Sequence, residues 1–289
     1  MLNACIKWLQ KTRIFPYLYW VLYATRLEKF STLACKKETL HASHLYFSSK
    51  QSEIQHILNN LADETSKKVL QKQISFRQYA YPLPLGHTYN PYFPKDIIHL
   101  SSQEIFIDCG AFTGDTILRF KRACHGKYKS IIAFEANPIS FKQLQAQHVK
   151  NCTCLNCGVW DKPDTLLFSS QARETDKLID TKVERLQQKQ PQLLKVPVNA
   201  IDNIPACSNM TFLKMDIEGA ELNALKGAEK TIRQNSPALA IAIYHSDQDL
   251  LNIPLWIMSL GLNYKYYIRH HGVAFAEVIF YAVPSLTNN

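Results

Sequence analysis

From Glu104 onward, apolar runs of strand length alternate with segments patterned as helices, and this alternation restricts the fold more than any other feature. The runs are EIFIDC (104–109), SIIAFE (130–135), Cys152 to Val159, MTFLKMD (210–216) and ALAIAIY (238–244). Helices are expected after Gly114, from Pro138 to about Val149, from Ala220 to about Gln234 and from about Gln248 to Leu260. Strands joined through helices lie parallel, because a parallel pair needs a long crossover. Tyr264 to Arg269 and Ala274 to Ala282, joined through His270, His271 and Gly272, predict a hairpin. The expected fold class is therefore α/β: a mainly parallel, seven-stranded Rossmann-like sheet closed by a C-terminal antiparallel hairpin. That departs from a dinucleotide fold of six parallel strands. Thr165 to Phe168 and Leu194 to Ala200 predict an antiparallel excursion around the polar stretch Ser169 to Gln192.

The first third reads differently. Apolar stripes through Ile54, Ile57, Leu58 and Leu61, then Val69, Leu70 and Ile74, predict helices. Tyr81 to Pro94, with four prolines, predicts an extended aromatic linker. We divide the chain into a helical region with its linker, 1–100, and an α/β domain, 101–289. The first holds 13 Lys+Arg against 6 Asp+Glu, the second 20 against 18, so most of the +9 charge lies at the front. Such an excess suits an anionic surface. Ile14 to Ala24 is apolar and aromatic but too short to span a bilayer, so it predicts a helix docked on the core, with peripheral membrane contact through 14–24 as the alternative. Eight cysteines without a secretory signal point to the reducing cytoplasm, or the inner face of its membrane. Cys152, Cys154 and Cys157, near His148, read as a buried strand rather than a metal site.

The sharpest motif, Asp108-Cys109-Gly110-Ala111-Phe112-Thr113-Gly114-Asp115-Thr116, stands where the first strand turns into the first helix. Gly110 lets backbone approach a ligand, Gly114 permits the turn, and Asp115 or Thr116 can cap the helix. A GxGxxG fingerprint aims bare N–H groups at a pyrophosphate; here a carboxylate precedes a wider glycine spacing, which favours a cationic ligand such as S-adenosylmethionine. Glu135, ending the second strand ahead of Asn137 and Pro138, occupies the place where an acid accepts ribose hydroxyls.

Asp216 and Glu218, at the end of MTFLKMD, share one face of extended backbone at the carboxyl edge of the sheet. Two carboxylates there can hold a metal, accept a hydroxyl proton or anchor the cofactor; that Glu218 and Glu221 merely serve the following helix N-terminus is the alternative. His245, ending the fifth strand, is the expected general base, and His270 and His271 are expected to face solvent. Convergence of Asp216, Glu218, His245 and Asp247 on a divalent ion is the alternative, and a metal-free route is preferred.

FIDCGAFTGDT, FEANP, NCGVWD, IDNI, FLKMDIEGAE and LKGAEKTI occur in an order and spacing that resembles the FkbM-type family of S-adenosylmethionine-dependent methyltransferases. The likeness runs from 92 to 282. It implies a class I methyltransferase fold and cofactor contacts from Asp108, Gly110, Phe112, Glu135 and Asn137, with Gly158 and Val159 bordering the adenine and Asp216 beside the methyl group. It also implies O-methylation of a sugar, polysaccharide or natural product, so the expected partner is a glycan or small-molecule acceptor. RNA ribose methylation and a non-catalytic scaffold of the same fold are the alternatives. The Asn/Asp-Pro-Pro-aromatic clamp of base-methylating enzymes is absent, which makes nucleic acid an unexpected partner.

Overall fold

A computed structural model describes residues 37–79, 84, 86, 91–170, 177–179 and 192–285; the Ile14–Ala24 segment lies outside them. Three helices come first: α1 (Lys37–Ser49), α2 (Gln51–Asn60) and α3 (Glu64–Tyr79). The α/β portion runs β1 (Ile105–Cys109), α4 (Asp115–Ala123), β2 (Ser130–Phe134), α5 (Pro138–Gln145), β3 (Cys152–Leu155), β4 (Gly158–Val159), β5 (Asp164–Ser170), β6 (Lys177–Ile179) and β7 (Gln192–Asn199). It closes with β8 (Phe212–Met215), α6 (Glu221–Lys226), α7 (Glu229–Asn235), β9 (Ala238–Ala242), α8 (Asp247–Ser259), β10 (Tyr264–His270) and β11 (Val278–Pro284).

The main sheet has the order β10-β11-β9-β8-β1-β2-β3. Strands β3, β2, β1, β8 and β9 are mutually parallel, and β11 is antiparallel to both β9 and β10. This is the expected five-stranded parallel core with its closing hairpin. Strand β1 is buried along its whole length, which is why IFIDC shows no polar alternation. One face carries an aromatic cluster of Phe93, Phe106, Phe120 and Phe212, with Phe106 and Phe120 stacked at 4.4 Å. Ile107, Leu213 and Ile241 on the other belong to one cluster with Phe47, Ile57 and Leu70 from the helices, so both regions share a core. Ala62 N–H donates to the Tyr266 carbonyl at 2.8 Å, and Arg269 reaches Asp63 at 2.6 Å and Asp96 at 2.7 Å, fastening α3 to β10. Among the described residues no helix is long and apolar enough to cross a membrane.

Four expectations are corrected. The strand expected from Cys152 to Val159 is two: β3 is the half-exposed edge of the main sheet, and β4 pairs with β7 in a second sheet ordered β4-β7-β5-β6. Between them Asn156 donates to the Glu135 carbonyl at 2.8 Å, turning the chain out of the first sheet. Cys152 and Cys154 are thus half-buried on that edge, not inside, and Cys157, between the two strands, is half-buried as well. The helix expected over 220–234 breaks at Gly227, where a Cβ would lie 2.1 Å from the Trp160 carbonyl oxygen. Asp202, brought there by the same packing, accepts from Lys230 N–H at 3.0 Å and Thr231 N–H at 2.8 Å and caps the second piece. The hairpin connection spans 271–277, longer than expected, because Gly86 N–H donates to Gly272 O at 2.7 Å and Ala274 N–H to Pro84 O at 3.0 Å, pinning it to the linker. His270 and His271 are consequently buried, with His271 2.8 Å from the Tyr281 hydroxyl.

Candidate cofactor and acceptor site

The carboxyl ends of β1, β2 and β8 surround a cleft of about 410 Å³, a size usual for small-molecule sites. At its floor Gly110 has φ +78°, and a Cβ there would lie 2.0 Å from the Asp216 carbonyl oxygen, so only glycine lets β1 and β8 close up at this point. Gly110 and Ala111 N–H groups donate to Phe134 O at 3.1 and 2.9 Å. Glu135 then organises the turn: one oxygen accepts from Phe112 N–H at 2.7 Å and the other from Asn137 N–H at 2.8 Å. The Asn137 side chain caps α5 by accepting from Ile139 N–H at 2.8 Å.

Of the residues singled out in the sequence, Gly110, Phe112, Asp115, Thr116, Glu135 and Asn137 line the cleft, as do Gly158, Val159, Asp216 and Glu218. Asp108, Ala111, Gly114 and His245 do not. Asp108 was expected to meet the ligand; it is fully buried and faces the ammonium of Lys214 at 3.0 Å. Lys214 stands between Asp108 and the cleft, donating also to Gly110 O at 2.8 Å and Cys109 O at 3.1 Å. Burial opposes the Lys214 charge, yet Asp108 and Asp216 outweigh it and hold the group above its ordinary value. Ala111 is sealed under the turn, and Gly114 serves as the left-handed N-cap of α4.

Asp216 is the centre of the second half. The hydroxyl of Tyr92 donates to one oxygen, that of Tyr244 reaches both at 3.2 and 3.3 Å, and His245 Nε2 lies 3.0 Å from the other. Burial would raise the Asp216 carboxyl, but His245, Lys214 and Tyr92 together bring it down to about 2. Burial and the neighbouring Asp216 raise both phenols, so they remain neutral donors at physiological pH. Behind Asp216, fully buried Glu221 accepts from Ile217 N–H at 2.7 Å and Gly219 N–H at 2.9 Å and meets His245 Nε2 at 3.1 Å. Burial would lower His245, yet Glu221 and Asp216 raise it to about 10. Glu221 and Asp216 thus favour the protonated form of His245, which is 5% exposed behind Asp216, against the free base expected there.

Tyr92, Tyr244, Lys214 and Glu221 were not assigned these roles from the sequence. A lysine inside an apolar strand is a readable signal of a buried ion pair; nothing in the spacing announces Tyr92, which sits at φ +72° in the linker.

Among the described residues, Asp216, Glu218 and His245 offer donor atoms within 4.8 Å of one another, a set that could hold a metal. Asp247, expected to join them, pairs instead with Arg77 at 2.9 Å and with Ser43. The acids Asp115, Glu135, Asp216, Glu218 and Glu277 outnumber the cations Arg119 and Lys214 along the cleft. That lining fits a cationic nucleoside better than a pyrophosphate.

Two outcomes follow from this geometry. Glu135→Ala removes a charged acceptor, whose hydrogen bonds contribute about 1.5–3 kcal/mol each, so S-adenosylhomocysteine affinity in calorimetry should fall tens of fold. Wild-type affinity in a folded variant would remove Glu135 from the cofactor site. In chelator-treated protein, protonated His245 adds stability that is complete below its ordinary value of 6.5 and is lost as pH rises toward about 10. The urea midpoint should therefore fall from neutral to alkaline pH in wild type and fall less in His245→Gln.

The Methyltransferase FkbM domain family matches residues 108–266, more than half of the chain. Among solved structures, the chain is similar to methyltransferase FkbM from Methylobacillus flagellatus KT, with 24% identity and a TM-score of 0.66, over 83% of this chain and 60% of that one. The chain thus spans less than two thirds of that relative's length. Fibrillarin from Aeropyrum pernix with natively bound S-adenosyl-L-methionine is 14% identical, with a TM-score of 0.37 over 65% of this chain and 71% of that one. An rRNA methylase from Streptococcus thermophilus is 11% identical, with a TM-score of 0.39 over 64% and 90%. No curated protein sequence matches. The likeness to the Methylobacillus protein, with the strand order above, shows a Rossmann-like methyltransferase fold.

Proposed function

The chain belongs to the FkbM methyltransferase family, and from that premise we propose that it methylates a hydroxyl of a sugar, polysaccharide or natural-product acceptor, using S-adenosylmethionine. S-adenosylmethionine, when bound, supplies an electrophilic methyl group on a sulfonium. Glu135 would accept its ribose hydroxyls, Phe112 and Asn137 would flank it, Gly158 and Val159 would border the adenine, and Asp216 would face the methyl end.

The observation that carries the reading is Asp216: a cleft-lining carboxylate held ionised by His245 and Lys214. A hydroxyl becomes strongly acidic as its oxygen gains a further bond to carbon, so a weak carboxylate base suffices late in the transfer. Tyr92 and Tyr244 orient Asp216 by hydrogen bonds, and His245 fixes its charge from behind. The acid-rich lining gives no support to the RNA reading, in which phosphates would seek cations. Contact with the inner face of the membrane rests on residues outside the described ones.

A metal-assisted route is the second reading, supported by the convergence of Asp216, Glu218 and His245. The deciding experiment incubates full-length protein with methyl-labelled cofactor and fractionated cell-envelope glycans, with and without chelator. Label in a glycan fraction regardless of chelator is the expected result. Chelator-sensitive labelling restored by magnesium would favour the metal route, and S-adenosylhomocysteine binding without labelling of any fraction would favour a non-catalytic scaffold.

A further inference from the structure

The N-terminal helices reach into the segment that supports Asp216. Arg77, near the end of α3, donates from Nη2 to the Tyr244 carbonyl at 2.8 Å and from Nη1 to Asp247 Oδ1 at 2.9 Å, while the Ser43 hydroxyl of α1 donates to Asp247 Oδ2. The guanidinium thus brackets His245, one residue after its first acceptor and two before its second. The far end of the segment is already fixed, because the Ser246 side chain caps α8 by accepting from Asp249 N–H at 3.0 Å. What is left to set is the path from β9 to that cap, which carries the Tyr244 and His245 side chains.

We propose that Arg77 is a positioning residue for the methyl-transfer site, holding residues 244–247 so that Tyr244 and His245 stay against Asp216. The proposal rests on the function proposed above. Stability alone gives a poor account of this arginine. Its side chain is 10% exposed and its Nε–H has no hydrogen-bond partner among the described residues, an expensive arrangement that an apolar side chain of similar volume would avoid. The planar fork of arginine offers two donors at a fixed separation, matched here to a backbone carbonyl and a carboxylate; a lysine ammonium cannot keep that separation. The N-terminal helices, which among the described residues place no side chain in the cleft, thereby act on it at one remove.

The test uses the full chain labelled with ¹⁵N-histidine, as wild type, Arg77→Met and Arg77→Lys, with S-adenosylhomocysteine as the binding probe. In wild type the His245 Nε2–H signal, identified by its loss in His245→Gln, should lie far downfield. In Arg77→Met it should move upfield or vanish while S-adenosylhomocysteine affinity holds; Arg77→Lys should recover part of the shift. In the labelling assay, turnover should fall about 100-fold at unchanged cofactor KM, the scale expected for a misplacement near 1 Å. If Arg77→Met fails to fold, Arg77→Lys decides alone. A wild-type His245 signal in every folded Arg77 variant overturns the proposal. A wild type that labels nothing overturns the proposed function instead, and the histidine spectra still decide the role of Arg77.

Discussion

Asp216→Asn lowers methyl transfer about 10²–10⁴-fold, the range expected when a positioned proton acceptor is removed, and leaves S-adenosylhomocysteine bound. The substitution keeps the shape of the side chain and the Asp216 N–H bond to the Cys109 carbonyl at 3.1 Å, so β8 still ends against β1. Asn retains a carbonyl oxygen for the Tyr92 and Tyr244 hydroxyls, and Glu221 still holds His245 at 3.1 Å. What disappears is the negative charge at the cleft and its capacity to take a proton. The comparison variant is His245→Gln. A histidine acting as the base would make His245→Gln the more damaging of the two, whereas an imidazolium behind Asp216 makes it the milder. The labelling assay decides between them by rank order, and transfer by Asp216→Asn within a few fold of wild type would assign the proton elsewhere.

Sequence patterning foresaw the sheet, because the inner parallel strands β1, β2, β8 and β9 are buried on both faces and so appear as short apolar runs bounded by turn residues. It also pointed to Gly110, Glu135 and Asp216, which line the cleft, since a strand end, a glycine turn and an acid are local features. What it misjudged depends on contacts across long separations. Cys152 to Val159 reads as one run, and it is divided where Asn156 bonds to Glu135 O and β4 pairs with β7, giving two strands in two sheets. His245 resembles a base until Asp216, just past the end of β8, and Glu221, at the start of α6, close on it. Tyr92 resembles part of a linker until its hydroxyl meets Asp216, a partner 124 residues away. Asp108 resembles a ligand acid until Lys214, on the neighbouring strand, takes its charge. In each case the composition of the motif was visible and the direction of the side chain was not.

That last pair is buried on both sides. Lys214→Met is expected to destabilise the protein by about 3–5 kcal/mol, because it strands a buried carboxylate rather than merely removing an attraction. Asp108 and Lys214 are 0% and 2% exposed, so water cannot stand in for the missing ammonium. The double substitution Asp108→Asn/Lys214→Met removes both charges and should return most of that stability, read as the midpoint of urea unfolding. Cofactor binding should not return with it. The Lys214 ammonium also holds the carbonyls of Cys109 and Gly110, at 3.1 and 2.8 Å, and Met offers them no donor. The Gly110 carbonyl would then lose that donor, while the Cys109 carbonyl keeps the Asp216 N–H and the Gly110 and Ala111 N–H groups keep Phe134 O, and calorimetry should show weakened S-adenosylhomocysteine binding in a stable protein. Equal midpoints for Lys214→Met and wild type would mean that Asp108 takes up a proton when its partner is lost. Full binding by the double variant would mean that the glycine turn holds its shape without the lysine, leaving Lys214 a partner of Asp108 and nothing more.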